Sequence, residues 1–209
     1  QSIRLRGLED VVVPKITAYS RSDARAIATP VLLRAPGFHA GQYFLRVVRA
    51  EDLDAALAQL PGDEVLAIEF LDTRDSDGTF AKYRVMVVDG TLFPLHLAIS
   101  PEWKVHYFSA QMAEQGVYRE REAQFLEDPR RALGERTWAA LRRVADTLFL
   151  QYAGIDFGID AAGRVVVFEC NATMAVRYPP DEPLWAYRRP AVDAVLGAVR
   201  EMLVRYSSI

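Results

Sequence analysis

The apolar positions of the chain change period several times, and each change marks an element. Alternating apolar and polar residues over Tyr43 to Arg49, Glu64 to Leu71, Phe80 to Val88 and Thr91 to Ile99 predict strands. Pro30 to Arg34 reads as a short buried strand, and Val11 to Val13 as another that Pro14 ends. Asp89-Gly90 joins two of these strands as a two-residue hairpin turn. Elsewhere the spacing becomes three to four. Leu53, Ala56, Leu57 and Leu60 line one face of a helix over Glu51 to Leu60. Trp138, Leu141, Val144 or Ala145, and Leu148 do the same over Gly134 to Gln151. Asp23 to Ala28 is read as a short helix and Glu114 to Leu126 as partly helical. Pro190 is placed to open a last helix, Ala191 to Tyr206, with Val192, Val195, Val199, Met202 and Leu203 inward. Helices and strands mixed with frequent hairpins predict an α+β fold with mainly antiparallel sheets and flanking helices. A small β-β-α-β lobe at residues 14–72 and a larger sheet lobe at 73–209 are the natural division.

The most informative stretch is Gly154 to Asn171, which reads as a hairpin turning at Asp160-Ala161-Ala162-Gly163. Side chains of one parity share a strand face, so Glu169 and Asn171 point the same way. A loop of two or four residues sets Asp156 opposite Glu169. Two carboxylates facing each other across a ladder repel. With an amide oxygen two residues on, they suggest a hard cation with oxygen ligands. A type I turn closed by a Gly bulge fits the same residues, and that register sets Asp156 against Phe168 instead. Both registers suit the sequence.

Other stretches carry charge where strands are expected. Lys82 and Arg84 share one strand face, with Tyr83, Val85 and Val87 on the other. Two cations side by side call for an anion over them, although a solvent-facing edge with surface ion pairs suits the same pattern. Arg34 ends a strand before a loop with Gly37 and Gly41, whose backbone N–H groups suit a phosphate. Glu69-Phe70-Leu71 ends another strand. Trp103, Lys104 and His106 form an aromatic and cationic stretch that suits either an acceptor substrate or a core.

Composition narrows the classes. The 209 residues are 51% hydrophobic and 25% charged, enough for a real core. A net charge of −3 argues against nucleic acid or an anionic membrane as the main partner. No apolar run reaches the roughly 18 residues of a membrane-spanning helix. No signal peptide is seen, and the single cysteine, Cys170, fits a reducing, cytoplasmic setting. Walker, GxGxxG, HExxH, CxxC and GxSxG motifs are absent from the sequence, and His39, His96 and His106 lie far apart in it. The chain starts at Gln1 rather than Met, so some sequence upstream of it is expected.

The order of parts resembles the ATP-grasp superfamily, in particular the glutathione synthetase and ribosomal-protein glutamate ligase branch. The features that carry this are a strand ending in a cation, a glycine loop, a strand closing on Glu-Phe-Leu, a hairpin with Arg84, a long helix, and Gly154-Ile-Asp with Phe168-Glu-Cys-Asn171. The resemblance covers about residues 11–176; the family's N-terminal domain is not in this sequence, which implies either an upstream domain of the same protein or the lack of the family's usual acceptor surface. It implies ATP and Mg²⁺ or Mn²⁺ as cofactors, with Asp156, Glu169 and Asn171 holding the metal. It implies adenine against the backbone of Glu69, Phe70 and Leu71, and phosphate against Arg34, Lys82 and Arg84, with Arg34 and Arg84 taking part in catalysis. The implied reaction joins a small-molecule or peptide carboxylate to an amine through an acyl phosphate. The alternative is a nucleotide-binding module without ligase activity. The chain departs from the family in carrying Arg34 where a Lys is usual and Lys82 where an acid often binds ribose.

Overall fold

In the computed structural model, which describes residues 2–38, 41–105 and 110–207, the chain divides into two units. One comprises Pro14–Leu71; the other comprises Gln1–Val13 with Asp72–Ile209. The larger unit thus starts before the smaller one, with helix α1 (Ser2–Leu5) and strand β1 (Val11–Val12).

The smaller unit is a four-stranded antiparallel sheet made of β2 (Ile16–Ser20), β3 (Val31–Arg34), β4 (Phe44–Val47) and β5 (Glu64–Glu69), in the order β2-β5-β3-β4. Helix α2 (Leu53–Ala58) follows a 3₁₀ turn at Ala50–Asp52. Val31, Leu33, Val47, Val65 and Ala67 form one core with Leu53, Ala56, Leu57 and Leu60. Strand parity puts Leu32, Arg34, Arg46, Leu66 and Ile68 on the opposite face. Strand β2 is not foreseen in the sequence, because an edge strand with only Thr17 and Tyr19 half-buried has little apolar pattern. Arg21, just beyond β2, donates to the carbonyls of Leu57, Leu60 and Gly62, partners that the end of a helix otherwise lacks.

The larger unit continues with β6 (Phe80–Val88), β7 (Thr91–Ser100), α3 (Gly116–Glu127), α4 (Pro129–Leu133), α5 (Glu135–Leu148), β8 (Tyr152–Ile159), β9 (Val165–Asn171) and α6 (Arg189–Ser207). Its sheet runs β1-β9-β8-β6-β7 and is antiparallel except for the β1–β9 pair. Asp89 and Gly90 both take positive φ, as a type I′ hairpin turn requires. One sheet face packs Val85, Val87, Leu97, Ile155, Phe157 and Val167 against Phe125 of α3 and Trp138, Leu141 and Val144 of α5. Each such fully buried side chain contributes roughly 1.5–3 kcal/mol. The opposite face has two characters. Met86, Val88 and Leu95 pack against Met174 and against Val192, Val195 and Met202 of α6. Farther along β6 the same face carries Lys82 and Arg84. Leu203, expected inward, is 59% exposed, one position past the buried stripe of α6.

Candidate functional site

The site is built by the β8–β9 hairpin and its neighbour β6. At the turn, Gly163 N donates to Asp160 O at 2.9 Å, and Asp160 N to Arg164 O at 3.1 Å. Gly163 takes φ 76°, as the bulge position of such a turn requires. The strands therefore leave the turn pairing Ile159 with Val165, Gly158 with Val166 and Phe157 with Val167. Continued, that register would set Asp156 against Phe168. It is not continued. A bulge takes up Phe168, and from there Asp156 pairs with Glu169, Ile155 with Cys170 and Gly154 with Asn171. Each register read from the sequence holds on one side of the bulge. The Phe168 ring lies where a side chain at Gly158 would be, since a Cβ there would stand 2.8 Å from Phe168 Cζ.

The pairing runs on across the sheet. Asp156 pairs with Arg84 on β6, and Arg84 with His96 on β7, so His96, Arg84, Asp156 and Glu169 form one row over four strands. A second irregularity interrupts β6–β7 next to the row, between Arg84 and Val85. Bulges of this kind are common beside functional sites because they re-aim side chains.

The charges in the row are arranged around Asp156, which is only 1% exposed. Arg84 Nε lies 2.5 Å from Asp156 Oδ1 and Arg84 Nη2 lies 2.8 Å from Oδ2. Lys82 Nζ stands 2.8 Å from Oδ2. The anion that the two adjacent cations call for is thus supplied by the next strand. Burial pushes the Asp156 carboxyl up, but the Arg84 hydrogen bond and the Lys82 and Arg84 charges outweigh it and hold it below the ordinary range. Burial, with the Arg84 charge beside it, pushes His96 down to about 3, so its imidazole is neutral. Glu169 is exposed and Asn171 half-buried. Asn171 Nδ2 donates to Glu169 Oε1 at 3.2 Å, which puts both on one face as parity requires. Asn171 Oδ1 in turn accepts from Thr173 N at 2.8 Å. Cys170 points to the α3/α5 core, and burial followed by the Asp156 and Glu169 charges pushes its thiol up to about 12. It is not a nucleophile at neutral pH.

The donor set is two carboxylates and an amide oxygen, chemistry that suits a hard divalent ion. Both oxygens of Asp156 are engaged by Arg84 and Lys82, and Asn171 Oδ1 is engaged by Thr173 N and Oγ1. Among the described residues, no three His, Cys, Asp or Glu side chains cluster so as to hold a metal by themselves.

Of the remaining candidates, Arg34 and Glu69 to Leu71 belong to the smaller unit, and Trp103 and Lys104 to the larger. Arg34 ends β3, donates from Nη2 to Phe38 O at 2.6 Å, and lies 5.9 Å over the Phe44 ring. It thereby pins the start of the glycine loop. Glu69 ends β5, and its Oε2 accepts from Lys15 N at 3.0 Å. Phe70 and Leu71 follow the strand in irregular backbone, both half-buried. The guanidinium of Arg46 stacks 3.9 Å over the Phe70 ring. Arg46 is not singled out in the sequence. Its signal was strand parity, which puts it on the same face as Arg34. Trp103 is half-buried and Lys104 exposed, while His106 lies outside the described residues, as do His39 and Ala40 of the glycine loop.

No protein-family model and no curated protein sequence matches the chain. Solved structures do. The VanG D-Ala:D-Ser ligase from Enterococcus faecalis is similar over 94% of this chain and 59% of its own, with TM-score 0.51 and 14% identity. The ATP-grasp ligase PsnB, solved with a phosphomimetic variant of its minimal precursor, Mg and ADP, is similar over 95% of this chain and 56% of its own, with TM-score 0.50 and 19% identity. An L-amino acid ligase from Bacillus licheniformis is similar over 82% of this chain and 38% of its own, with TM-score 0.48 and 13% identity. The chain has the ATP-grasp fold, α+β with two lobes of mainly antiparallel sheet. It spans between about two fifths and three fifths of the length of these structures.

Proposed function

We propose that the chain is the nucleotide-binding part of an ATP- and Mg²⁺-dependent ligase that joins a carboxylate to an amine through an acyl phosphate. The observation that carries this reading is the row Arg84–Asp156–Glu169, in register over three strands of a sheet with the ATP-grasp fold. Mg²⁺ would supply charge neutralisation across the phosphates, held by Glu169 and Asn171 beside Asp156. Arg84, fixed by Asp156, is held ready for a phosphoryl oxygen rather than being ordered when the nucleotide arrives, which is how fixed charges lower a barrier. Arg34 is read as a second phosphate contact and the backbone from Glu69 to Leu71 as the adenine contact, with the Phe70–Arg46 stack beside it. PsnB, solved with Mg and ADP, supports these cofactors. The substrates are read as a small-molecule or peptide carboxylate and an amine.

ATP with Mg²⁺ should raise the melting temperature, and Glu169→Ala should abolish the rise. Addition of a carboxylate and an amine should release ADP. No thermal shift at millimolar nucleotide overturns the reading. A second reading, nucleotide binding without ligase activity, is favoured by the closure of Lys82 and Arg84 on Asp156. It predicts ATP binding with no ADP released, even when this chain is joined to any preceding domain.

A further inference from the structure

Within the smaller unit, Arg34 and Arg46 share the sheet face opposite the α2 core, and they reach toward opposite ends of it. Arg34, in a row with Phe44 and Leu66, turns to the glycine loop, where its Nη2 donates to Phe38 O at 2.6 Å. Arg46, in the next row with Leu32 and Ile68, turns the other way. Strand β3 lies between β4 and β5, and across it the Arg46 guanidinium stacks 3.9 Å over the ring of Phe70, the residue after β5. Arg49, just past β4, takes an ordinary surface arrangement and pairs with Glu51 and Asp52. Arg46 Nε is instead buried, with no hydrogen-bond partner among the described residues. A buried donor left unpaired costs stability. The ring beside it is what offsets that cost, because a guanidinium is attracted to an aromatic face, more so when desolvated.

The stack anchors one point of a strap, and Glu69 anchors another. Glu69 N donates to Lys15 O at 2.9 Å, and its Oε2 accepts from Lys15 N at 3.0 Å. Past that anchor the chain leaves β5 and runs through Phe70 and Leu71 in irregular backbone. Such backbone opens locally unless side chains tie it down. A segment ordered before its ligand arrives also binds more tightly than one ordered on arrival. Resting on the ATP reading above, in which the backbone of Glu69 to Leu71 contacts the base, we infer that Arg46 is a positioning residue for base recognition. Through Phe70 it fixes the strap that the base meets. It acts on the base end of the nucleotide alone, since Arg34 is the arginine of this face that turns to the glycine loop.

The test separates the two ends of the nucleotide. Affinities for ATP and for inorganic tripolyphosphate, each with Mg²⁺, are measured on the whole chain by isothermal titration calorimetry. Tripolyphosphate carries the phosphates without the base. Arg46→Met should weaken ATP roughly tenfold, the size of a lost half-buried cation–π contact, and leave tripolyphosphate unchanged. Arg46→Lys, which keeps a cation over the ring, should recover part of the loss. Phe70→Leu should show the same split, and adding Arg46→Met to it should bring no further loss. Should Arg46→Met fail to fold by circular dichroism, Arg46→Gln takes its place. Equal weakening of both ligands overturns the inference by making Arg46 a phosphate contact. A full further loss in the Phe70→Leu background overturns it by making Arg46 touch the nucleotide itself. Unchanged ATP affinity in the Arg46 variant overturns this inference alone. A wild-type chain that binds no ATP overturns it together with the ligase reading.

Discussion

Two buried carboxylates in the larger unit each meet an arginine, and they differ in everything else. Glu122 of α3 is fully buried. Its Oε1 accepts from Leu97 N at 3.1 Å, and its Oε2 accepts from Tyr187 Oη at 2.6 Å and from Arg188 Nη2 at 2.6 Å. Arg188 is itself buried and lies 4.2 Å over the Trp185 ring. The cluster ties α3, the edge strand β7 and the segment before α6 together, and it offers nothing outward. Asp156 is equally buried, but Lys82 and Arg84 reach the surface and exposed Glu169 stands next in the row. The titration differs accordingly. Burial raises the Glu122 carboxyl more than Arg188 and Tyr187 lower it, whereas the cations around Asp156 outweigh burial. A buried acid with an arginine is therefore not in itself a sign of a site. The exposure of its partners separates a structural knot from a group set to meet a ligand.

The largest expected effect tests the closed half of this contrast. Glu122→Ala should cost about 3–5 kcal/mol, because it removes one partner of a buried ion pair. The urea midpoint measures it, and a cost near zero would mean that the knot is not structural. Asp156→Asn should cost less, roughly 1.5–3 kcal/mol, since the cations it releases can turn to water.

The two acids should also depend on pH with opposite sign. Asp156 titrates below its ordinary 3.8, so its contribution is complete above that value and is lost as pH falls through the folded-state value. Glu122 titrates above its ordinary 4.5, so its contribution is complete below that value and declines as pH rises through the folded-state value. Stability differences between wild type and Asp156→Asn, and between wild type and Glu122→Gln, followed from acid to neutral pH, should slope in opposite directions. Parallel slopes would erase the distinction.

Smaller effects sharpen the open half. Gly154→Ala places a Cβ about 3.0 Å from Met174 Cβ and Cγ and should cost about 1–3 kcal/mol, as overpacking does. Calorimetry detects it as a lowered melting temperature. Glu169→Ala should move ligand-free stability by no more than about 0.5 kcal/mol, as an exposed position allows. Its loss should appear only in the nucleotide-dependent thermal shift. Least of all, a thiol reagent at neutral pH should leave Cys170 of the native chain unlabelled, as mass spectrometry would record.

Most of the sheet and helix order was legible in the sequence because each element carries its own apolar period. Asp156 and Glu169 could be paired on paper, but only as one of two registers. What decided between them was the extra residue at Phe168, and no side-chain pattern announces a bulge there. That Lys82 and Arg84 share a face followed from parity; that their anion is Asp156 required the β6–β8 register. Glu122 left a faint signal, a carboxylate at helical spacing between Tyr118 and Phe125, in a helix whose apolar face is otherwise weak. Strand β2 left less, since an edge strand is patterned on one side only. Trp185 and Tyr187 sit in a Pro-rich stretch with no apolar period to place them. Both are half-buried, because the Glu122–Arg188 pair draws them in.

The two-residue strand β1 has a consequence for the order in which the protein is made. Val11 and Val12 pair with Val165 and Val166, so the smaller unit is an insert in the chain of the larger. During synthesis the insert has all of its own strands before β6 emerges, and domains fold as units in that order. The larger sheet cannot close until β9 leaves the ribosome, and contacts so distant in sequence form slowly. Folding should therefore show a fast phase confined to residues 14–71 and a slow one that ends with β1 docking on β9.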